Sequence, residues 1–354
     1  MPLEDTAVKI REGEELPKEA LAAYLARETG EAADAMEVRQ FPGGYSNLTY
    51  LVKWNGREYV LRRPPHGTKA ATAHDMSREF RVLSALHGAF PVCPRPWLYC
   101  DDPSVMGAPF YLMERIKGII LRKKLPPELG FTPKSFGKLL NDSFELMARL
   151  HSLDYQALGL GDFGKPAGYV NRQVAGWSKR YRAARTPDAA DFEAVMEWLA
   201  ANQPPEKGAA VIHNDFKLDN LVLDQEAPSR VIGLLDWEMS TVGDPLMDLG
   251  SSLGYWVQAD DPPALVASAS VLSHLPGAPT RAEVVRIYAQ ASGRSMDDFP
   301  FYFTFGLFRL AVIAQQIYYR FYHGQTKDPR FGALIHAVNC LDAAANRAKD
   351  GWGL

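Results

Sequence analysis

The chain has 354 residues, of which 47% are hydrophobic and 23% charged; this is globular composition, long enough for one large or two medium domains, and it excludes a disordered chain. A net charge of −3 gives no basic surplus, which argues against nucleic acid or an anionic membrane surface as partner. Cys93, Cys100 and Cys340 show no metal-ligand spacing and read as reduced thiols of a cytoplasmic protein, and the opening Met-Pro-Leu-Glu-Asp has neither the basic nor the apolar region of a signal peptide.

Residues 16–30 pattern as an amphipathic helix, and from residue 38 the period changes to two. Short strands are expected at 38–41, 49–54 and 58–63, the last two joined by Asn55-Gly56, a strong hairpin signal. Residues 75–86 form a helix with Met76, Phe80 and Leu83 on one face. A proline-rich loop (Pro91, Pro94, Pro96), a strand at 110–114 and a hinge at Gly118 follow. Residues 135–152 carry Phe136, Leu140, Phe144 and Met147 on one stripe, which is core spacing. A buried strand at 211–212 and a paired set at 221–224 and 231–235, turning at Pro228, precede a mainly helical remainder. The apolar stretch 299–322 carries Arg309, Gln315, Gln316 and Arg320, so it reads as a buried core helix and not as a membrane span. The expected class is α+β, a small sheet-rich lobe (1–114) before a larger helical lobe (115–354), and ligands favour such domain interfaces.

Chemistry concentrates in His213-Asn214-Asp215-Phe216-Lys217-Leu218-Asp219-Asn220 and in Leu235-Asp236-Trp237-Glu238, where Asp236 follows Asn220 by sixteen residues. Phosphoryl transfer needs a carboxylate to take a hydroxyl proton, an amide oxygen for magnesium and a second carboxylate for magnesium. Asp215 and Asn220 have the spacing of a catalytic-loop aspartate and asparagine, and Asp236 fits the second carboxylate. The antiparallel pair between Asn220 and Asp236 returns the chain to the end where it began, and magnesium takes such hard oxygens. A lone Asp-x-x-x-x-Asn would be an ordinary turn; the paired strands and the second carboxylate make the joint pattern catalytic. His151 and His213 read as structural hydrogen-bonders, and no His/Cys cluster points to zinc.

On these residues, together with Gly243-Asp244-Pro245-Leu246-Met247-Asp248-Leu249, the chain resembles the aminoglycoside phosphotransferase-like kinases over roughly residues 30–340. Within that family, Tyr59-Val60-Leu61-Arg62-Arg63-Pro64-Pro65 and Phe308-Arg309-Leu310-Ala311 look most like the kinase-like domain fused to acyl-CoA dehydrogenases, family members ten and eleven. No dehydrogenase segment follows, and a stand-alone version is the expectation. The resemblance implies a two-lobed protein-kinase-like fold, ATP and Mg2+ as cofactors, Asp215 as base, and Asn220 and Asp236 as magnesium ligands. It makes Gly43, Gly44, Tyr45, Ser46 and Asn47 the phosphate-covering loop. Arg62 stands where protein kinases have lysine; period two puts Val60 and Arg62 on one face, Val60 roofing the adenine and Arg62 reaching the phosphates. Glu79 is the expected partner of Arg62, and Glu114 and Ile116 lie where a hinge backbone would bind adenine. Asp244 and Asp248 are expected to support the loop around Asp236, Asp244 capping the next helix.

The first reading is therefore an active kinase acting on a small-molecule hydroxyl; the alternatives are a catalytically silent nucleotide-binding scaffold and an aminoglycoside- or choline-type kinase. A phospho-switched protein kinase is disfavoured because Asp244 follows Glu238 by only six residues, leaving no room for an activation loop. For the acceptor, the segment 168–181 with Arg172, Trp177, Lys179, Arg180 and Tyr181, basic and free of acids from Arg172 to Arg185, points to an anionic or CoA-linked hydroxy compound.

Overall fold

In the computed structural model, which describes residues 6–32, 36–42, 47–65 and 75–354, the first amphipathic stretch is α1 (Lys18–Thr29). Then come β1 (Glu37–Gln40), β2 (Leu48–Trp54) and β3 (Arg57–Arg63), each antiparallel to the one before. At the β2–β3 turn Asn55 and Gly56 both take positive φ (48° and 72°), the two-residue turn whose twist matches the flanking strands. Asp75 accepts the Ser77 and Arg78 N–H groups and starts α2 (Met76–Leu86).

The proline-rich stretch expected to be only a loop runs into a strand, β4 (Pro96–Cys100). After α3 (Pro103–Met106) and β5 (Phe110–Glu114) the sheet has the order β1-β2-β3-β5-β4, so β4 is an edge. Proline is tolerated as the first residue of an edge strand because no ladder hydrogen bond is lost there, which is why the prolines misread as loop alone. Leu25, Tyr50, Val52, Trp54, Leu61, Phe110 and Leu112 pack into one buried core against this sheet.

The chain continues with α4 (Pro133–His151), opened by a Thr132/Ser135 capping box, then α5 (Tyr169–Ala184), α6 (Glu193–Ala201) and β6 (Ala210–Ile212). The hairpin β7 (Leu221–Leu223) and β8 (Val231–Leu234) pairs Leu221 with Leu234. After it come β9 (Thr241–Gly243), antiparallel to β6, and α7 (Pro245–Gly254), α8 (Pro263–Ala267), α9 (Arg281–Ser292), α10 (Phe299–Tyr322) and α11 (Leu334–Ala348). Helix α10 is a core helix: Arg309 and Gln315 are buried, and Gln315 Nε2 donates to the Ala184 carbonyl and Thr186 Oγ1. Among the described residues no helix is long and apolar enough to cross a membrane.

Two compact units result: Met1–Ile120 with Leu221–Glu238, and Leu121–Asn220 with Met239–Leu354. The division differs from a single cut at 114/115, because β7, β8 and the residues up to Glu238 belong with the first unit. Ile119 and Leu223 exchange two backbone hydrogen bonds of 2.8 Å, and a Cβ on Gly118 would lie 2.3 Å from the Leu223 carbonyl oxygen. Gly118, read as a hinge, is thus also the residue whose missing side chain lets the hairpin dock.

Candidate active site

In the first unit the central residue is Arg62 of β3, set between Thr49 of β2 and Tyr111 of β5. Arg62 is 6% exposed, and its guanidinium faces three carboxylates. Nη1 donates to Glu79 of α2; Nη2 donates to Asp236 Oδ1 at 3.0 Å and to Glu238 Oε2 at 3.1 Å. Burial works against the Arg62 charge, but Glu79, Tyr111, Asp236 and Glu238 together hold its pKa well above the ordinary arginine value. Burial pushes the Glu79 carboxyl up to about 7, Asp236 and Glu238 adding to the rise and Arg62 opposing it. Asn47, at the start of β2, donates from Nδ2 to the same Glu238 oxygen at 2.7 Å. Gly43, Gly44, Tyr45 and Ser46 lie outside the described residues.

Asp236 has φ 68°, left-handed backbone that aspartate and asparagine tolerate better than other side chains. Glu238 received no role from the sequence, although a second acid two residues beyond Asp236 was the available signal. Glu114 ends β5 and accepts the Arg95 N–H on its side chain at 2.8 Å, so that side chain is occupied locally. Ile116 packs its side chain against Gly233 of β8, where an added Cβ would meet Ile116 Cδ1 at 2.9 Å.

In the second unit, β6 delivers the loop His213–Asn220. Asp248 of α7, fully buried, accepts the His213 N–H at 2.7 Å and the Asn214 N–H at 2.8 Å, with His151 Nε2 at 3.1 Å. Burial would raise the Asp248 carboxyl, but His151 and the hydrogen bonds it accepts hold it below the usual range. His151 Nδ1 in turn lies 2.7 Å from the Tyr288 hydroxyl, and His213 Nδ1 accepts the Asp215 N–H at 3.3 Å, so both histidines are hydrogen-bonders of the scaffold. Asp248 therefore holds the loop before Asp215, not the loop around Asp236 as expected. Asp244 caps α7 through the Leu246 N–H at 2.8 Å and accepts the Tyr302 hydroxyl at 3.2 Å.

At the end of this loop Asn220 Nδ2 donates to the Asp215 carbonyl at 2.8 Å and to Asp215 Oδ2 at 3.0 Å. Lys217 Nζ is 3.1 Å from Asp215 Oδ2 and 5.4 Å from the Tyr255 ring centroid. Burial lowers the Lys217 pKa, yet Asp215 and Asp219 outweigh it and raise the ammonium above its ordinary value. Arg309 of α10 donates from Nη2 to the Asn214 carbonyl at 2.7 Å. Neither Lys217 nor Arg309 is a site residue on the sequence alone; the signals for Arg309 are a charge inside an apolar stretch and its place in Phe308-Arg309-Leu310-Ala311.

The acceptor insert expected in α5 is mostly occupied otherwise. Tyr181 is fully buried and donates to the Ala190 carbonyl, and Arg172 folds back onto the Ala167 and Lys165 carbonyls. Trp177 is buried, with Arg180 4.7 Å and Arg309 5.3 Å from its ring centroid, which leaves it poorly placed to stack on a ligand. Lys179, Arg180 and Arg185 stay exposed, whereas Arg182 donates from Nε and Nη2 to the Glu193 carboxylate of α6.

A profile of the phosphotransferase enzyme family matches residues 37–284. Acyl-CoA dehydrogenase family member 10 of Mus musculus is 37% identical over 319 residues, covering 89% of this chain and 30% of that protein. Acyl-CoA dehydrogenase family member 11 of Gallus gallus is 35% identical over 336 residues, covering 92% and 42%. The chain thus spans only 30% to 42% of the length of these curated relatives. A solved protein from Ralstonia eutropha, provisionally described as an aminoglycoside phosphotransferase, superposes with a TM-score of 0.80 at 31% identity, over 95% of this chain and 99% of its own. The aminoglycoside phosphotransferase APH(4)-Ia, solved with ADP and hygromycin B, shares the fold at 14% identity, with a TM-score of 0.60 over 95% of this chain and 100% of its own. The two-lobed, kinase-like α+β fold expected from the sequence is the fold of these proteins. With a family match over more than half its length and a solved relative alike from end to end, the chain belongs to the phosphotransferase enzyme family.

Proposed function

We propose that this chain transfers the γ-phosphoryl group of ATP to a hydroxyl of a small molecule, with magnesium. The observation that carries the reading is the set of side chains each unit preserves: Asp215 bonded to Asn220 in one, Arg62 bonded to Glu79 and Asp236 in the other. The donors fit a hard cation. Asn220 turns its amide nitrogen to Asp215, which leaves its oxygen as the ligand atom, and Asp236 supplies a carboxylate; magnesium commonly takes one or two such groups with phosphates and water. Bound by groups of this kind, magnesium would neutralise charge on the phosphate oxygens. Asp215 takes the proton of the acceptor hydroxyl, and Lys217 places positive charge beside that carboxylate. Arg62, held by Glu79, grips phosphate oxygens with its two-pronged end.

The chain between Glu238 and Asp244 is filled by the end of a short 3-10 turn (Trp237–Met239) and by β9, which supports a small-molecule kinase over a protein kinase with an activation loop. For the acceptor we propose a hydroxy acid or hydroxyacyl-CoA. The support is the exposed Lys179 and Arg180 of α5 and the dehydrogenase names of the curated relatives. The test is an ATP-dependent mass gain of one phosphoryl across a panel of hydroxy acids, hydroxyacyl-CoAs, amino sugars and choline-like alcohols. Gain on amino sugars alone overturns the acceptor assignment; gain on none overturns the kinase.

A further inference from the structure

We propose that Arg309 is the specificity-determining residue of the acceptor site, its guanidinium holding a compact oxyanion, a carboxylate or phosphate, that the acceptor carries close to the hydroxyl to be phosphorylated. That the oxyanion belongs to a phosphoryl acceptor rests on the kinase reading above; that Arg309 holds an oxyanion does not.

Arg309 is 5% exposed, and among the described residues no carboxylate lies within 4.0 Å of it. Two other deeply buried arginines have carboxylate partners, Arg62 with Glu79, Asp236 and Glu238, and Arg281 with both oxygens of Asp261; a third, Arg63, donates from Nε to the Pro64 carbonyl. A buried cation without a counter-ion is costly, and a ligand anion that completes it recovers the cost.

The surroundings sharpen the assignment. Nη2 spends its hydrogen bond on the Asn214 carbonyl, the carbonyl of the peptide that begins Asp215, so the guanidinium stands within one peptide unit of the candidate base. Arginine carries five N–H donors in a rigid fork, which leaves donors for a planar or tetrahedral oxyanion. Lys217, the other cation of this loop, is already paired with Asp215 and lies 3.9 Å from Asp219. Arg180, which shares the Trp177 ring with Arg309, adds positive potential without bringing an acid. An oxyanion held here sits near the reacting hydroxyl, which favours a free hydroxy acid or a hydroxyalkyl phosphate over a thioester whose charges are remote. A polycationic amino sugar is disfavoured by the same charge.

The experiment measures calorimetric binding without nucleotide, and turnover with ATP, of γ-hydroxybutyrate, hydroxypropyl phosphate and the neutral γ-hydroxybutyramide. The wild type should bind at least one anion roughly 10- to 100-fold more tightly than the amide, and Arg309→Gln should abolish that preference by raising KM for the anion, any change in kcat being the smaller effect. If Arg309→Gln does not fold, Arg309→Lys tests the same point, with a several-fold loss confined to the anions. Equal binding of anion and amide by the wild type overturns the proposal. So does an equal fall of kcat on all three probes in the variants, since that is what loosening the Asn214 carbonyl alone would produce. An Arg309-dependent preference without phosphoryl transfer would retain the anion site and overturn the kinase reading instead.

Discussion

At the scale of single residues, Asp215→Asn separates basicity from shape. Asparagine keeps the size of the side chain that Asn220 and Lys217 contact, so Mg-nucleotide affinity should stay within a few-fold while kcat falls roughly 10²- to 10⁴-fold. Near-normal turnover would remove Asp215 from the role of base. Asp236→Asn is equally clean, because asparagine tolerates the left-handed backbone at φ 68°. Titrating magnesium against bound nucleotide should show the midpoint moving to higher metal; an unmoved midpoint would place the metal elsewhere. Arg62→Ala and Glu79→Ala should each raise the ATP requirement and be non-additive by on the order of 1–3 kcal/mol, whereas strict additivity would mean that Glu79 does not position Arg62. Glu79 also predicts a pH effect. Its carboxyl, ordinarily at 4.5, is pushed up to about 7 in the fold, so between those values the folded chain holds more proton than the unfolded one. Stability from this group is present at low pH and declines as pH rises through that window. Urea midpoints of wild type and Glu79→Gln should therefore diverge between about pH 5 and 7, the variant lacking the decline; parallel curves would contradict the shift.

Among elements, the β7–β8 hairpin carries the most consequence for its size. Gly118 is the close approach that seats it, and Gly118→Ala would drive a Cβ to 2.3 Å from the Leu223 backbone oxygen. The expected cost is at least about 2 kcal/mol, from an atom that cannot rotate away. The substitution should loosen Asp236 and Glu238 as well, so magnesium-dependent nucleotide binding should weaken alongside the thermal midpoint. A stable variant with unchanged nucleotide binding would show that the hairpin's seat does not govern those carboxylates. Elements with strong periodicity were legible in the sequence: α10, the β2–β3 hairpin and α2 all form within a residue or two of their expected bounds. β4 was not, because prolines dominate its entry, and neither was β9, which has only three residues. In the candidate site, the contact between Arg62 and Glu79 was legible by resemblance, and the spacing of Asp215 and Asn220 anticipated that they stand side by side. The site was opaque where partners are distant in sequence. Nothing local announces that Asp248 will hold the amides of His213 and Asn214, that Glu238 will share Arg62, or that Arg309 will reach a carbonyl 95 residues away.

For the whole molecule, the instructive difference is that neither unit is a continuous stretch of chain. A reading along the sequence tends to cut once; packing here requires the strands at 221–234 to return to the sheet built before residue 120. A fragment ending at Ile120 would thus leave Gly118 and Ile119 without the hairpin that covers them, and it should show weaker amide protection across β3 and β5 than the same residues in the full chain. Equal protection would mean that the first segment is self-sufficient. The same interleaving limits how such a chain can exchange parts with its relatives. A single crossover placed between residues 120 and 221 joins one parent's sheet to another parent's hairpin, so the Arg62 side of the charge cluster and the Asp236 side would descend from different genes. Viable chimeras of the first unit should therefore come from paired breakpoints that carry both segments together, or from parents already matched at Gly118, Leu223 and the three carboxylates around Arg62.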